Sequence, residues 1–542
     1  MPPPAILSGI ILHVGLYRVG EWDLSAPKIF TTYSILTLCA ALYYKSHSMM
    51  QENGELLAML SSFIPAGYPL RFIAAHIATV YASMLLYRAF FHRLRHFPGP
   101  FMARLSNIYF TFLSAKDMHR YDELDKLHKK HGDYVRVGPT VLSILDPEAV
   151  QAFHGSHSKV SKGQWHTVLM PRVSLQVERN KREHARRRKI WDMGFSSKAL
   201  RSYEPRIRYY TEQLVSKIER TLDKPIDMAQ WFNYYSFDVM GTMGFNMDSN
   251  MVKEGTETYF LKTLHADMKN IGIFGHLPWL LPFVKATPGL NKEYLNFWKW
   301  LDVRVNERIA SKPDSPDIFQ WLLEDYEKRP KTRQDELNLH GDAYLTVVAG
   351  SDTTAATLTN LFFHLACEKR YLKQLQAELD QLSDLSSENI QSIKFLDALI
   401  HETLRLHPAV PSGMQRVTPP EGLQIGKTYI PGDIMVQIPL HSLFRDERNF
   451  VHPNDFVPER WLSQPELVKN AGAFIPFSIG SYSCVGKQFA LSEMRMAAAE
   501  ILYRFDVELA PGQTQKAFLD GAQDAFTLVT APLNLVFRKR KF

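Results

Sequence analysis

One cysteine lies in a glycine-bracketed loop directly before a helical run, and this loop constrains the fold more than any other stretch. The loop reads FSIGSYSCVG from Phe477 to Gly486, and a helical pattern begins at Lys487. The free N–H groups and the positive dipole end of a helix N-terminus stabilise a thiolate. Gly480 and Gly486 permit sharp turns and close approach to a flat partner, and Phe477 supplies an aromatic wall. The fold must therefore present one thiolate beside an apolar surface.

The ligand chemistry of Cys484 narrows the choice of metal. Zinc takes about four protein ligands, and no cysteine or histidine companion lies near Cys484 in the sequence. A heme iron needs one such ligand, because the porphyrin supplies the in-plane nitrogens. For Cys484 alone, a buried structural cysteine in a glycine turn is the alternative. The other cysteines, Cys39 and Cys367, are too few and too scattered for a disulfide framework, which favours a reducing compartment.

Composition limits the class of protein and its partners. The chain has 542 residues with 45% hydrophobic and 12% aromatic content, as expected for a large globular core. We see no linker or repeat after the proline-rich stretch at 97–100, which favours one catalytic unit behind an anchor. A net charge of +7 admits a nucleic acid, an anionic membrane or an acidic protein as partner. Because no nucleic-acid module is recognisable, we expect no nucleic acid and favour the other two.

The first 96 residues are rich in apolar runs. They are Ala5–Tyr17, Ile29–Tyr44 and Phe72–Tyr87, the last preceded by Leu56–Leu70. Each main run is at or below the length of about 17 residues that a spanning helix needs, so a buried soluble helix is the alternative for each. Together they predict a membrane anchor over 1–96 with up to three transmembrane segments. The basic residues Arg88, Arg93 and Arg95 place a cytosolic side after the last run.

A long apolar stretch, Leu339–Ala366, has the period of a helix and carries a polar notch. At its centre stands the run AGSDTT, which includes Asp352 and Thr353. A glycine in mid-helix costs about 1 kcal/mol against alanine, so a helix built only for stability avoids it. The hydroxyl of Thr353 can bond back to a carbonyl four residues earlier, and Asp352 can supply protons. A kinked core helix is the alternative.

Two further patterns are weak alone. His184 and Arg188 share a helix face within the basic run Lys181–Ile190, which also reads as a solvated surface. Glu402 and Arg405 lie about one turn apart. The neighbouring His401-Glu402 does not make a zinc-protease motif, because the required second histidine is Arg405.

Together these motifs resemble the cytochrome P-450 family over roughly residues 97 to 535. The loop around Cys484 is similar to that family's heme-binding loop, and Ala349–Thr354 is similar to its oxygen-activating helix. The resemblance implies a mainly α fold with small β-sheets, preceded here by the membrane anchor, and heme b as cofactor. It implies Cys484 as the axial ligand of the heme iron, and Phe477, Gly480 and Gly486 against the heme.

The resemblance also implies roles for residues elsewhere in the chain. Glu402, Arg405 and Arg460 would form a buried ion group beneath the heme, and His184, Arg188 and Arg416 would bind the heme propionates. One departure is Tyr482, which stands where the family usually has a propionate-binding Arg or His; we expect Arg416 to compensate. The remaining charges Arg186, Arg187 and Lys189 are expected to point outward toward an acidic electron donor.

The activity implied is insertion of one oxygen atom from dioxygen into a hydrophobic small molecule. Electrons would come from NADPH through a partner reductase, with cytochrome b5 as a further candidate partner. The residues in these motifs are similar to those of fungal members that act on secondary metabolites such as terpenoids or alkaloids. The resemblance implies a protein of the endoplasmic reticulum membrane with a cytosolic catalytic domain. Ala409–Met414 and Ala525–Val529 would contact substrate. A reductase-independent isomerase or dehydratase and a non-catalytic heme-binding protein are the alternatives.

Overall fold

The computed structural model describes residues 2–53, 65, 67–311, 313 and 315–541, and it confirms the mainly helical class with small sheets. The helices are α1 Pro3–Leu12, α2 Ala26–Asn53, α3 Tyr68–Leu86, α4 Phe101–Leu105, α5 Ile108–Asp117, α6 Arg120–His131, α7 Ala149–His154, α8 Lys181–Gly194, α9 Ser197–Glu219, α10 Met228–Phe245, α11 Met251–Glu254, α12 Tyr259–Phe274, α13 Leu280–Ala286, α14 Lys292–Ala310, α15 Ile318–Glu327, α16 Arg333–Cys367, α17 Lys369–Leu379, α18 Ser387–Ser392, α19 Lys394–Leu406, α20 Leu440–Leu443, α21 Lys487–Arg504 and α22 Gln515–Asp520. The strands are β1 Tyr134–Gly138, β2 Val141–Ile144, β3 Ser161–Lys162, β4 Pro225–Asp227, β5 Arg416–Val417, β6 Leu423–Ile425, β7 Thr428–Ile430, β8 Met435–Gln437, β9 Phe505–Leu509, β10 Gln523–Ala525, β11 Thr527–Val529 and β12 Asn534–Lys539.

The chain divides into two compact units. The smaller one contains Met1–Phe110, Arg136–Thr140 and His276–Leu295, and the larger one contains the rest. In the smaller unit, Tyr68–Phe91 is long and apolar enough to cross a membrane, and Pro3–Tyr17 is a shorter apolar stretch. The run Ile29–Tyr44 lies within α2, whereas most of Leu56–Leu70 falls outside the described residues. One helix therefore meets the length and composition of a span in the described part of the chain.

The proline-broken run Ile271–Val284 divides between the two units. Its first residues end α12, and its remainder forms α13 within the smaller unit, where the Phe283 ring meets the Phe30 ring edge-on at 5.2 Å. Gly275 ends α12 and leads into the apolar segment His276–Leu295, which groups with the N-terminal helices.

Helices α10 and α16 form the centre of the larger unit. The sequence predicts α16 over Leu339–Ala366, but the helix begins earlier because Thr332 and Asp335 form a capping box. A Cβ on Gly350 would lie 2.6 Å from the sulfur of Met240 on α10. Close packing of α16 against α10 therefore accounts for a glycine in the middle of this helix.

The small sheets of the larger unit tie distant segments together. Strand β2 pairs parallel with β8, β8 antiparallel with β5, and β5 antiparallel with β3, which brings Arg416 opposite Lys162. Strand β12 pairs with both β4 and β9. The C-terminal basic run at 538–541 is therefore partly strand, and Arg540 binds Asp380 at 2.6 Å.

Candidate active site

The cysteine loop is held by backbone contacts before α21 begins. The N–H of Cys484 donates to the Phe477 carbonyl at 2.8 Å, which closes the loop on itself. Gly480 has φ +67°, and a Cβ there would meet the His154 carbonyl at 2.4 Å, so this position requires glycine. Gly486 is the N-cap of α21, and a Cβ on it would make only ordinary contacts. Close packing of the loop against the protein backbone therefore requires glycine at 480 but not at 486.

The Cys484 thiol is accessible yet enclosed by protein. Its side chain has exposed surface, but burial is the largest influence on its pKa and raises it. The exposed surface and the effect of burial are compatible, because the accessible surface of a side chain can face an internal cavity. The Gly486 N–H, Arg188 and Lys487 counteract burial and favour the thiolate. A cation against this sulfur would complete the stabilisation of its charge.

The middle of α16 has one accessible side in an otherwise buried helix. Ala349 is exposed and Thr353 half-buried, whereas Ser351, Asp352 and the residues from Thr354 to Phe363 are buried. Residues four apart lie on one helix face. The Thr353 hydroxyl donates to the Ala349 carbonyl at 2.8 Å, as the sequence pattern predicted. This face forms a small polar notch in an apolar helix.

Four basic side chains are buried close together, and all but His166 contact Tyr482: Lys162, His166, His184 and Arg416. Burial, with Arg416, lowers the pKa of Lys162 to about 6 and that of His166 well below its usual range. Burial lowers the pKa of Arg416 to about 10, and its Nε has no hydrogen-bond partner among the described residues. These side chains, called here the basic cluster, therefore lack the anionic partners that would hold them protonated.

The carboxylates near the basic cluster are already engaged. Asp342 pairs with Arg187 at 2.6 Å, and Glu178 lies 3.7 Å from the same guanidinium. Asp342 also accepts the Leu175 N–H at 2.7 Å. The cluster thus has room for anionic oxygens from a ligand, since buried unpaired charge is costly.

Tyr482 organises the basic cluster through its ring. The Lys162 ammonium lies 4.9 Å and the Arg416 guanidinium 5.1 Å from the ring centroid, and the His184 ring meets it edge-on at 4.8 Å. Sequence reasoning treated Tyr482 as a loss of positive charge and missed Lys162. Only the pairing of β3 with β5 reveals that a lysine more than 300 residues away approaches this ring.

Helix α8 places His184 in the basic cluster, and its arginines contact other parts of the protein. Arg188 donates to the Ser483 carbonyl at 2.6 Å and pairs with Asp192 at 2.7 Å, so it braces the cysteine loop. The prediction that Arg187 points outward is wrong, because it is buried against Asp342. Arg186 is paired with Glu183 and Asp325, and Lys189 is exposed.

Glu402, Arg405 and Arg460 form a fully buried ion group. Arg405 donates to Glu402 at 2.8 and 3.0 Å, and Arg460 donates to it at 3.1 Å. The Val457 N–H and the Trp461 indole complete the carboxylate's contacts, and backbone carbonyls accept the remaining arginine donors. Such complete pairing is what a buried charge group needs to be tolerated.

Aromatic contacts connect this ion group to the segment before the cysteine loop. The Trp461 ring lies 4.4 Å from the Phe474 ring, and His401 meets Phe474 edge-on at 5.8 Å. Phe474 precedes Phe477 by three residues. A change in the ion group therefore reaches the cysteine loop through Trp461 and Phe474.

One of the two expected substrate segments, Ala525–Val529, contributes to an aromatic stack. Phe526, between β10 and β11, stacks on Trp165 with ring centroids 4.4 Å apart. The Phe526 backbone has φ +78°, a conformation costly for a bulky side chain. Trp165 and Phe526 are far apart in the sequence, so the stack is visible in the tertiary structure alone.

Comparisons with known proteins identify the family. The cytochrome P-450 family model matches residues 98–537. A cytochrome P-450 monooxygenase of Eupenicillium brefeldianum is 51% identical over 470 residues, covering 87% of this chain and 96% of that protein. One from Fusarium pseudograminearum is 46% identical over 537 residues, covering 98% of this chain and 96% of that protein. A protein named tryprostatin B 6-hydroxylase, of Aspergillus fumigatus, is 33% identical over 547 residues, covering 98% and 95%.

The chain belongs to the cytochrome P-450 family, and it is an oxidoreductase of the monooxygenase class. The family implies heme, and the residues present fit it. Cys484 offers one accessible soft ligand, while the described residues hold no group of three or more side chains that could bind a bare metal ion. The unpartnered Arg416 Nε and the basic cluster, which has no free carboxylate of its own, suit the two propionates.

Proposed function

We propose that this protein oxygenates a hydrophobic small molecule of fungal secondary metabolism, with electrons from NADPH delivered by a separate reductase. The accessible notch on α16 carries the proposal, because it combines an apolar helix face with the Thr353 hydroxyl and its buried neighbour Asp352. The names of the relatives support the substrate class, since one is a hydroxylase of tryprostatin B. A terpenoid or an alkaloid fits the apolar segments Ala409–Met414 and Ala525–Val529.

Each candidate site residue has a proposed role. A heme bound through Cys484 supplies dioxygen activation and C–H oxidation. Lys162, His184 and Arg416 neutralise the propionates, while Arg188 holds the Ser483 carbonyl and adds positive charge near the sulfur. Phe477, Gly480 and Gly486 shape the loop. Glu402, Arg405 and Arg460 keep the loop folded.

Asp352 and Thr353 are proposed to handle protons. The Thr353 hydroxyl, held by the Ala349 carbonyl, would orient a water in the notch, and Asp352 would carry protons toward it. A buried acid directly beside an alcohol on the accessible helix face exceeds what an isomerase or dehydratase needs. This pair therefore favours oxygenation over those alternatives.

The proposed organisation of the chain is an anchor over residues 1–96 and a monooxygenase domain over 97–542. Tyr68–Phe91 is the segment with the length and hydropathy of a span. The basic residues Arg88, Arg93 and Arg95 after it favour a cytosolic catalytic domain on the endoplasmic reticulum. A reductase, with cytochrome b5 as a second donor, would then reach it from the cytosol.

The decisive experiment uses membranes that contain this chain and a co-expressed reductase. A pool of apolar fungal metabolites is incubated under heavy-isotope dioxygen with and without NADPH, and products are followed by mass. Gain of one heavy oxygen only with NADPH supports the proposal and identifies the substrate. A mass change without NADPH and without label indicates the isomerase or dehydratase. A heme-loaded protein that converts nothing, even across the full pool, indicates a non-catalytic heme-binding protein.

A further inference from the structure

His265 of α12 lies between two carboxylates that differ in their access to water. Its Nε2 is 3.6 Å from Asp352 Oδ1, and its Nδ1 is 3.5 Å from Glu257 Oε1. The exposed fraction of the side chain rises from 8% at Asp352 to 32% at His265 and 37% at Glu257. The three side chains therefore form a row of titratable groups that runs from the interior to the surface.

Two features of the backbone hold these groups in place. Asp352 lies in the middle of α16, whereas His265 lies in the second turn of α12. The Thr258 hydroxyl accepts the Leu261 N–H and caps α12, which fixes the position of the adjacent Glu257.

Asp352, at the inner end of this row of titratable groups, has a hydrogen-bond acceptor without a partner. Asp352 Oδ1 is buried and has no hydrogen-bond partner among the described residues. A buried carboxylate oxygen without a donor is costly, and the imidazole Nε2 is within reach after a small movement. The arrangement therefore suits transfer of a proton between these two atoms.

The charges around His265 favour its protonated form. Burial lowers its pKa, but the Asp352 carboxylate and, more weakly, Glu257 raise it. Lys269, one turn further along α12, opposes them. The net direction is upward, so the imidazolium persists to higher pH than in an ordinary histidine.

We propose that His265 relays protons from water at Glu257 to Asp352 during oxygenation. In this step the Nε2–H bond of the imidazolium breaks and an O–H bond forms at Asp352 Oδ1. The neutral ring, one-third exposed, regains its proton from water beside the Glu257 carboxylate. This inference rests on the proposed function, in which Asp352 passes protons to the notch. His265 acts through Asp352 and is therefore assigned as a positioning residue.

The first test measures the histidine itself and needs no turnover. Diethyl pyrocarbonate modifies neutral imidazole, and the modified fraction of His265 is followed by mass spectrometry against pH in the reconstituted heme-loaded chain. Asp352→Asn should speed modification of His265 near pH 7 by at least about threefold, because the pKa of His265 falls. His119, which lies 3.7 Å from Asp122, is the internal control and should not change. Equal modification of His265 in both proteins overturns the relay.

The second test compares His265→Gln and Glu257→Gln with the control His119→Gln. The heme spectrum of each variant first establishes folding. In His265→Gln we expect about tenfold less product per NADPH, more hydrogen peroxide and a larger solvent isotope effect. In the parent, the yield of product per NADPH should fall as pH rises through the pKa of His265, and this fall should be absent in His265→Gln. Glu257→Gln should move the fall to lower pH, and Glu257→Asp should return it to the parent's position.

The outcomes separate the relay from the proposed function. An unchanged pH profile and unchanged coupling in His265→Gln overturn the relay while the parent still makes labelled product. Absence of isotope-labelled product from the parent overturns the proposed function. The diethyl pyrocarbonate test then still decides whether the protonation of His265 depends on Asp352.

Discussion

The guanidinium of Arg416 lies 5.1 Å from the centre of the Tyr482 ring, although 66 residues separate them and one belongs to a strand and the other to the cysteine loop. Lys162 and His184 contact the same ring. A tyrosine at this position thus arranges cations contributed by other segments instead of supplying its own charge. This relationship predicts that the ring, and not its hydroxyl, matters for heme retention.

Tyr482→Leu should weaken heme retention, and Tyr482→Phe should not. The leucine variant loses cation–π contacts worth about 1–2 kcal/mol at desolvated sites, whereas phenylalanine keeps a ring. Heme content after gel filtration and dissociation of heme to an acceptor protein measure the difference. Equal heme loss in the two variants would show that the hydroxyl carries the role.

Glu402→Gln should unfold the cysteine loop because Arg405 and Arg460 would then be buried without a full counter-charge. Breaking a buried pair from one side costs about 3–5 kcal/mol. Urea unfolding and the heme spectrum provide the measurement. The control is Glu123→Gln, because Glu123 and Lys126 have the same i,i+3 spacing and 2.8 Å contact as Glu402 and Arg405, but on the surface. Its cost should stay below about 1 kcal/mol.

Lys162→Met should stabilise the heme-free protein at pH 7 and weaken its affinity for heme. The pKa of Lys162 is lowered to about 6 in the fold, so between that value and its ordinary 10.5 the unfolded chain binds more protons. The stability of the parent therefore rises with pH across this window and is lowest near and below pH 6. In Lys162→Met, the free energy of unfolding should rise less steeply with pH across this window, because the lysine no longer contributes.

Chemical denaturation of the heme-free protein at several pH values measures the slope. Lys126→Met on α6 is the control, since its pKa is raised and it does not titrate in this window. A slope in Lys162→Met equal to that of the parent would contradict the assignment of the buried neutral lysine.

Thr353→Ala should uncouple electron consumption from oxygenation. Loss of the hydroxyl removes the group that orients water in the notch, and we expect about tenfold less product per NADPH with peroxide in its place. Thr359→Ala is the matched control, because Thr359 makes the same 2.8 Å bond to a carbonyl four residues earlier but is fully buried. If both variants uncouple alike, helix distortion and not the Thr353 hydroxyl is responsible.

Cys484→Ala should abolish the ferrous carbon monoxide spectrum of a thiolate heme while leaving most secondary structure intact. The loop is closed by the backbone contact from Cys484 N–H to the Phe477 carbonyl, which alanine retains. Cys367→Ala, at a half-buried cysteine, should keep that spectrum. A surviving thiolate spectrum in Cys484→Ala would assign the iron ligand to another residue.

The sequence by itself determined the helical class, the ligand-bearing loop and the notch on α16. These features are local: a glycine-bracketed cysteine before a helix, a threonine that bonds four residues back, and an acid one turn from an arginine each depend on neighbours within a few residues. Their order along the chain made the family resemblance specific even though Glu402 and Arg405 alone resemble a surface pair.

Only the tertiary structure decided which charges are internal and what they face. Arg187, predicted to be outward, is buried because Asp342 of a distant helix pairs with it, and Gly350 serves packing against Met240. Lys162 reaches Tyr482, and His265 reaches Asp352, through strand pairing and helix packing. Burial and the sign of the neighbouring charge set the energy of an ionisable group, and both depend on residues far away in sequence.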